Sequence, residues 1–282
     1  MFRATSLEKP ALAAWGGLLY LAWRTADAGR GRATLWCSAF DGRRWSGPRP
    51  VPGARSSHGP SLAAGDGGLH VYWKGEGGDE RLWHTAFDGR FWRPAQVLFD
   101  GWPVTASRPC ATVTHTSRVW LAFTGAGQDR TIHLCSSLDG AAWSRRDVVR
   151  VPQAASAWPS VVGRTGTGHR GADRLLLAWP DHDGRVWCAL SEDAAGHWSQ
   201  PAAVPARTLR GVGFAGWDRT DAYAAWAVGL GDDHSIHWAA TAGGTSWQDP
   251  QTRGPLEHGQ RRLEDRASLR EPALAAYGPM WQ

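Results

Sequence analysis

The chain has 282 residues, a length that fits one or two domains, and 42% of them are hydrophobic. Its 19 Trp, 35 Gly and 17 Pro point to short strands, tight turns and broad flat contacts, and away from helices. The formal net charge of +5 is carried by arginines scattered along the chain, lysine occurring only at Lys9 and Lys74; a nucleic-acid surface would gather them into a stripe, so no nucleic-acid partner is expected.

The first residues, Met1-Phe2-Arg3-Ala4-Thr5-Ser6, lead into a strand pattern and not into the apolar stretch of a secretory leader. No apolar run is long enough to cross a bilayer. The expectation is a cytoplasmic protein without a membrane span, with release by an unconventional route as the alternative.

A short apolar strand recurs after proline, as Pro10-Ala11-Leu12-Ala13-Ala14, Pro60-Ser61-Leu62-Ala63-Ala64, Pro109-Cys110-Ala111-Thr112-Val113 and Pro159-Ser160-Val161-Val162. The period is about 50 residues, and a degenerate fifth copy stands at Gly211-Val212-Gly213-Phe214-Ala215. A second strand follows in every copy, closing on Trp23, Trp73, Phe123, Trp179 and Trp226. A third strand runs into a turn and a tryptophan, as in Phe40-Asp41-Gly42-Arg43-Arg44-Trp45 and Phe87-Asp88-Gly89-Arg90-Phe91-Trp92. The third copy is Leu138-Asp139-Gly140-Ala141-Ala142-Trp143, and looser copies end at Trp198 and Trp247. Asp-Gly between strand patterns is a hairpin signal, and the tryptophan is expected to begin a fourth strand.

Four antiparallel strands repeated at this period predict an all-β fold, a five-bladed β-propeller of four-stranded blades forming one domain over 1–282. The repeats fall at approximately 6–55, 56–105, 106–155, 156–207 and 208–267. Blades that sandwich one another explain strands apolar on both faces. Cys37, His84, Cys135 and Cys188 then share one strand position as small residues packed between blades, with no CxxC pair and no metal expected. The closing segment 268–282 repeats the start, Ser268-Leu269-Arg270-Glu271-Pro272-Ala273-Leu274 matching Ser6-Leu7-Glu8-Lys9-Pro10-Ala11-Leu12. It either closes the ring, hiding open edges, or starts a partial sixth blade completed by a second copy of the chain in a homodimer.

The Asp-Gly-x-x-Trp turn resembles the Asp-box of sialidases and other propellers, although Asp41, Asp88 and Asp139 directly precede glycine where the family pattern has an intervening residue. The resemblance implies structural turns on the face opposite the active site. The whole chain also resembles Trp-rich bacterial propellers and, more distantly, tachylectin-type and fucose-binding lectins, which implies sugar binding. Sialidase chemistry needs an arginine cluster and a tyrosine nucleophile. Tyr20, Tyr72, Tyr223 and Tyr277 all fall inside strand patterns, which argues against it.

With the Asp-Gly turns at the bottom, the ligand face is the opposite one, where first strands begin and second strands end. A carbohydrate-binding (lectin-like) propeller would use Trp23, Arg24, Trp73, Lys74, Arg108, Trp158, Trp179 and Arg210 there to bind a glycan or small-molecule ligand. The competing reading of the tryptophans is packing between blades. An enzyme of cyclase, lyase or glycosidase type would instead use one aromatic-lined central site, with Glu8, Glu271, His58 or Asp181 as acid or base. The third reading is a protein-interaction scaffold. Asp181-His182-Asp183-Gly184 and Asp232-Asp233-His234 read as turn caps before metal ligands, and no cofactor is implied.

Overall fold

The computed structural model describes residue 6 and residues 8–248, except 27–32, 66, 102–103, 144–147, 156–158, 165–170, 209–210, 218–220, 228–235 and 243–245. The closing segment 268–282, with Glu271, lies outside the described residues, as do Trp158, Arg210, Asp232, Asp233 and His234.

The described residues form four-stranded antiparallel meanders that succeed one another along the chain. The first comprises β1 (Ala11–Trp15), β2 (Leu18–Ala26), β3 (Ala33–Phe40) and β4 (Arg49–Arg55). The second comprises β5 (Ser61–Gly65), β6 (Gly68–Lys74), β7 (Leu82–Phe87) and the two-residue β8 (Gln96–Val97). The third holds β9 (Cys110–Val113), β10 (Val119–Thr124), β11 (Thr131–Ser137) and β12 (Val149–Ala155). The fourth holds β13 (Ser160–Gly163), β14 (Leu175–Pro180), β15 (Arg185–Ser191) and β16 (Ala202–Arg207). The last holds β17 (Gly213–Trp217), β18 (Asp221–Ala227), β19 (Ile236–Ala242) and the two-residue β20 (Ser246–Trp247).

Every residue of β6, β10 and β14 is buried, because a neighbouring sheet covers each face. The apolar residues accordingly cluster in seams between successive sheets. One seam joins Ala22, Leu35 and Val51 to Leu69, Val71 and Trp73; another joins Trp120 and Leu134 to Leu175, Leu177 and Trp179.

The first strands pack side by side in chain order, β1 on β5, β5 on β9, β9 on β13 and β13 on β17. They belong to different sheets, so no backbone ladder joins them. Side chains do so instead. Ala111 N donates to Ser61 Oγ at 2.8 Å, Gly163 N to Thr112 Oγ1 at 2.9 Å, and Ser160 Oγ to the Val212 carbonyl at 2.5 Å.

The Asp-Gly turns are tied by their carboxylates. Asp41 Oδ1 accepts from Arg43 N and Arg44 N, both at 2.7 Å, and Asp88 Oδ1 from Arg90 N and Phe91 N at 2.8 and 2.7 Å. Asp139 Oδ1 accepts from Ala141 N and Ala142 N at 2.9 and 2.8 Å. Gly42, Gly89 and Gly140 have φ of 92°, 97° and 70°, conformations that glycine adopts without a Cβ penalty.

Two sequence expectations need correction. Trp45 and Trp92 make only single bridges to Phe40 and Phe87, and the fourth strands start later, at Arg49 and Gln96. Cys135 also leaves the predicted shared position. Cys37 and Cys188 lie opposite Ala22 and Ala178, and His84 opposite Tyr72, each one step inside an aromatic cross-strand pair. In the third sheet that place belongs to Leu134, opposite Ala122, while Cys135 lies opposite Leu121. The strand before Asp139 is one residue longer, so counting back from the turn puts Cys135 on the wrong face.

Candidate functional site

Antiparallel pairing puts the start of each first strand beside the end of the second, as in Ala11 opposite Ala22. This mouth end carries those predicted site residues that lie among the described ones. Trp23, Trp73 and Trp179 are only 4%, 1% and 3% exposed, so their faces are covered by the seams and no ring is presented to a ligand there. The competing sequence reading, packing between blades, describes their surroundings.

Each of these buried rings faces a second ring on the third strand. The cross-strand pairs are Trp23–Trp36, Trp73–Trp83, Phe123–His133 and Trp179–Trp187. Trp73 and Trp83 stack at 6.3 Å, and Phe123 and His133 at 5.4 Å. The outer rings Trp36, Trp83, His133 and Trp187 are half-buried and reach the surface.

In three sheets a carboxylate holds the outer ring by its N–H. Trp83 Nε1 donates to Asp79 Oδ2 at 2.9 Å and Trp187 Nε1 to Asp181 Oδ2 at 3.0 Å. His133 Nε2 lies 3.0 Å from Asp129 Oδ2. The other carboxylate oxygen caps the loop, Asp79 accepting from Arg81 N, Asp129 from Thr131 N, and Asp181 from Asp183 N and Arg185 N. Gly75 and Gly125 make room for Asp79 and Asp129, since a Cβ on either would come within 2.3 or 2.5 Å of the carboxylate. In the shorter fourth-sheet loop Asp181 reaches the equivalent ring from the start of the loop.

Two of the clusters also have an arginine side chain in contact, and in the third Arg185 contributes its backbone N–H. Arg81 lies over Trp83 at 5.1 Å and pairs with Asp79 at 2.8 Å, Arg150 NH2 is 3.5 Å from Asp129, and Arg185 follows Asp181 on the exposed rim. The hydrogen bonds from His133 and Thr131 outweigh burial and hold the Asp129 carboxyl down to about 2. Asp79 is held low chiefly by Arg81.

Of these residues the sequence patterns single out only Asp181 as a site candidate. The legible signal was an aspartate four residues before the third-strand ring, in Asp79…Trp83 and Asp129…His133. The same spacing recurs in Asp233…His237, although position 233 lies outside the described residues.

Also at the mouth end, the structure gathers Arg24, Lys74 and Arg108 around His58, with Glu8 beside Gly59. Lys74 and Arg108 are buried. Lys74 Nζ donates to Ser57 Oγ at 3.1 Å, Gly77 O at 3.3 Å and Asp79 O at 3.1 Å, while burial lowers its pKa from the ordinary lysine value. Arg24 Nε donates to the Ser56 carbonyl at 2.7 Å. Burial, followed by the charges of Lys74, Arg24 and Arg108, pulls His58 down to about 4. At neutral pH it is an uncharged imidazole, its Nδ1 3.1 Å from Ser57 Oγ.

Asp181, His182 and Asp183 bring their ligand atoms within 4.8 Å of one another, the one such trio among the described residues. Three N–H donors already occupy the Asp181 carboxylate. Burial pushes the Cys37 thiol up to about 12, far from a nucleophilic thiolate. Tyr20 and Tyr72 are buried in β2 and β6, and burial raises both phenols. No helix among the described residues is long and apolar enough to cross a membrane.

No protein-family model matches the chain, and no curated protein does. Solved structures do. A Hadza microbial sialidase superposes over 96% of this chain with a TM-score of 0.64 at 13% identity, and this chain spans 61% of its length. The fucose-specific lectin from Aleuria aurantia gives 0.61 at 17% identity, covering 96% of this chain and 85% of the lectin. An α-L-arabinofuranosidase from Podospora anserina gives 0.53 at 11%, covering 79% and 83%. Similarity at this level of identity is one of fold, and the shared architecture is the β-propeller.

Proposed function

We propose that this chain is a five-bladed propeller that binds carbohydrate through repeated sites at the mouth end. The observation that supports this is the recurring cluster of a half-buried outer ring with an aspartate on its N–H, joined in two sheets by an arginine side chain. Trp83, Asp79 and Arg81 make one site, His133, Asp129 and Arg150 the second, and Trp187, Asp181 and Arg185 the third. An aromatic face stacks on the apolar face of a sugar ring, and guanidinium and carboxylate groups take its hydroxyls. Weak sites repeated around a ring add through avidity. Solved propellers of similar fold include a lectin named as fucose-specific and glycoside hydrolases. Lys9, which reaches from the start of the first sheet to the start of the fifth, supports ring closure at five blades.

The test is a glycan array with the intact protein and with Trp83→Ala and Trp187→Ala. Saturable binding to a related set of glycans, weakened in each variant at unchanged melting temperature, supports the reading. A blank array, or binding indifferent to both variants, overturns it. The neutral His58 among Arg24, Lys74 and Arg108, with Glu8 packed beside the adjoining Gly59, favours a second reading, an enzyme with a single central site. That reading predicts turnover of a small substrate that is lost in Glu8→Gln and untouched by Trp187→Ala.

A further inference from the structure

His84 departs from its counterparts Cys37, Leu134 and Cys188 by placing an ionisable group in a buried seam. It meets a second buried histidine there, with His70 Nδ1 3.0 Å from His84 Nε2 and the rings stacked at 5.2 Å. Both side chains are almost wholly buried, at 1% and 2% exposure. The seam is closed by the turn of the third sheet. Tyr72 OH donates to the Gly140 carbonyl at 2.6 Å, and Gln96 Nε2 donates to the Ala141 carbonyl at 3.3 Å. A Cβ at Gly140 would come within 2.6 Å of His70 Cε1, so this turn sits directly on the pair.

Counting protons fixes the tautomers. Two neutral imidazoles carry two protons on four nitrogens. One of those protons occupies the bond between the rings. The other belongs to His70 Nε2 or His84 Nδ1. The Gln96 amide presents its NH2 to the Ala141 carbonyl, and that same nitrogen lies 3.5 Å from His84 Nδ1. His84 Nδ1 is therefore the acceptor, His84 Nε2–H donates to His70 Nδ1, and the remaining proton sits on His70 Nε2. That atom is buried with no hydrogen-bond partner in the structure.

A third proton has one place to go. With the inter-ring bond kept, it must occupy His84 Nδ1, where it meets the Gln96 NH2 group donor to donor. The exposed Gln96 side chain relieves this by turning over to present its oxygen, and its bond to Ala141 is lost.

We infer that the His70–His84 pair is an acid-operated release for the seam between the second and third sheets, with Gln96 as the moving part. The groups facing the pair are Tyr72, Arg93 and Gln96 from the second sheet, with Cys135 and Asp139 from the third. Arg93 opposes protonation, Asp139 favours it and the Gly140 backbone favours it at His70, while burial dominates at both rings, which sets the release well below neutral pH. The inference does not rest on carbohydrate binding, since neither histidine nor Gln96 belongs to a ring cluster, although His84 directly follows Trp83 in β7.

The experiment is an imidazole nitrogen NMR titration of the full chain, run with melting temperatures across the same pH range. At neutral pH the His84 Nδ1 signal is expected to be that of an unprotonated nitrogen. On acidification it gains its proton together with a shift of the Gln96 side-chain amide, and the melting temperature falls. His84→Leu, which supplies the third sheet's own residue, should flatten that fall. Gln96→Glu keeps the core and offers an acceptor, so it should move the midpoint at least one pH unit upward. A protonated Nδ1 at neutral pH, or an unchanged midpoint in Gln96→Glu, would overturn the inference; should His84→Leu fail to fold, the Gln96→Glu midpoint still decides.

Discussion

Lys9 Nζ donates to the Val212 carbonyl at 3.1 Å, joining residues 203 positions apart in the chain. The same carbonyl accepts from Ser160 Oγ at 2.5 Å, so the approaches to the first, fourth and fifth sheets meet on one oxygen. The backbone just before β1 is also wedged against the second sheet, where a Cβ on Gly59 would come within 2.2 Å of the Lys9 carbonyl. Lys9→Met removes a charged donor and should cost about 1.5–3 kcal/mol in denaturant unfolding. Gly59→Ala forces backbone against backbone and should cost at least as much. Wild-type stability in both variants would show that this junction is not what holds the ring.

The ring clusters predict an avidity effect. On a densely coated glycan surface, Trp83→Ala should reduce retained protein by about tenfold or more, and on a sparse surface by much less. Surface plasmon resonance at two ligand densities separates the outcomes. An equal loss at both densities would mean that a single cluster does the binding.

The turn aspartates make a prediction about acid. Hydrogen bonds from backbone N–H groups lower the carboxyl pKa of Asp41, Asp88 and Asp139. A depressed carboxyl contributes stability that is present above its unfolded value of about 3.9 and lost as pH falls through the folded value. Asp→Ala at any of the three should lower the melting temperature at pH 7 and leave ligand binding intact. The difference from wild type should vanish at strongly acid pH.

The histidines act in the same direction through a different charge state. Burial pulls His58 to about 4 and His84 to about 3, so each folds as the neutral base. Their contribution is complete above the unfolded value of about 6.5 and drains away as pH falls toward the folded values. Stability measured from pH 7 down to pH 4 should therefore fall, and the slope should ease in His84→Leu. A flat profile over that window would contradict the burial of both rings.

Asp173 is the hub of the seam between the third and fourth sheets. Buried, it accepts from Thr116 Oγ1 at 2.7 Å and from Trp120 Nε1 at 2.9 Å, with Arg118 3.6 Å away. Asp173→Ala strands the Trp120 indole N–H, and the expected cost is about 3 kcal/mol. Asp173→Asn, which keeps acceptor capacity, should cost less. Equal losses in the two would point to the charge.

The repeat was legible because its punctuation is local. Proline before four of the five first strands and Asp-Gly at three of the hairpins need only their own neighbours, and both stand where the sequence places them. Lateral register was harder. Cys135 and His84 are each four residues before their aspartate, yet one extra residue before Asp139 turns Cys135 to the other face, and only cross-strand pairing reveals it. The mouth end divided in the same way. Trp23, Trp73 and Trp179 recur conspicuously but recur as packing, whereas the surface rings Trp83, His133 and Trp187 owe their setting to loops of different length. An aspartate reaches the ring from four residues upstream in two sheets and from six upstream in the other. Spacing within one strand cannot show that convergence.

The first strands are joined by single side-chain bonds, and the ladders stop at the border of each sheet. A chain built this way has strong units and weak joints. Amide protons within one sheet should exchange with deuterium as a group, and the groups should differ, because each joint has its own chemistry: a histidine pair at one, a buried aspartate at the next, sulfur and indole at Cys188 and Trp247. The order in which the groups open would rank those joints, and the loosest would be where a duplicated or exchanged unit could be spliced in with the least disturbance to the others.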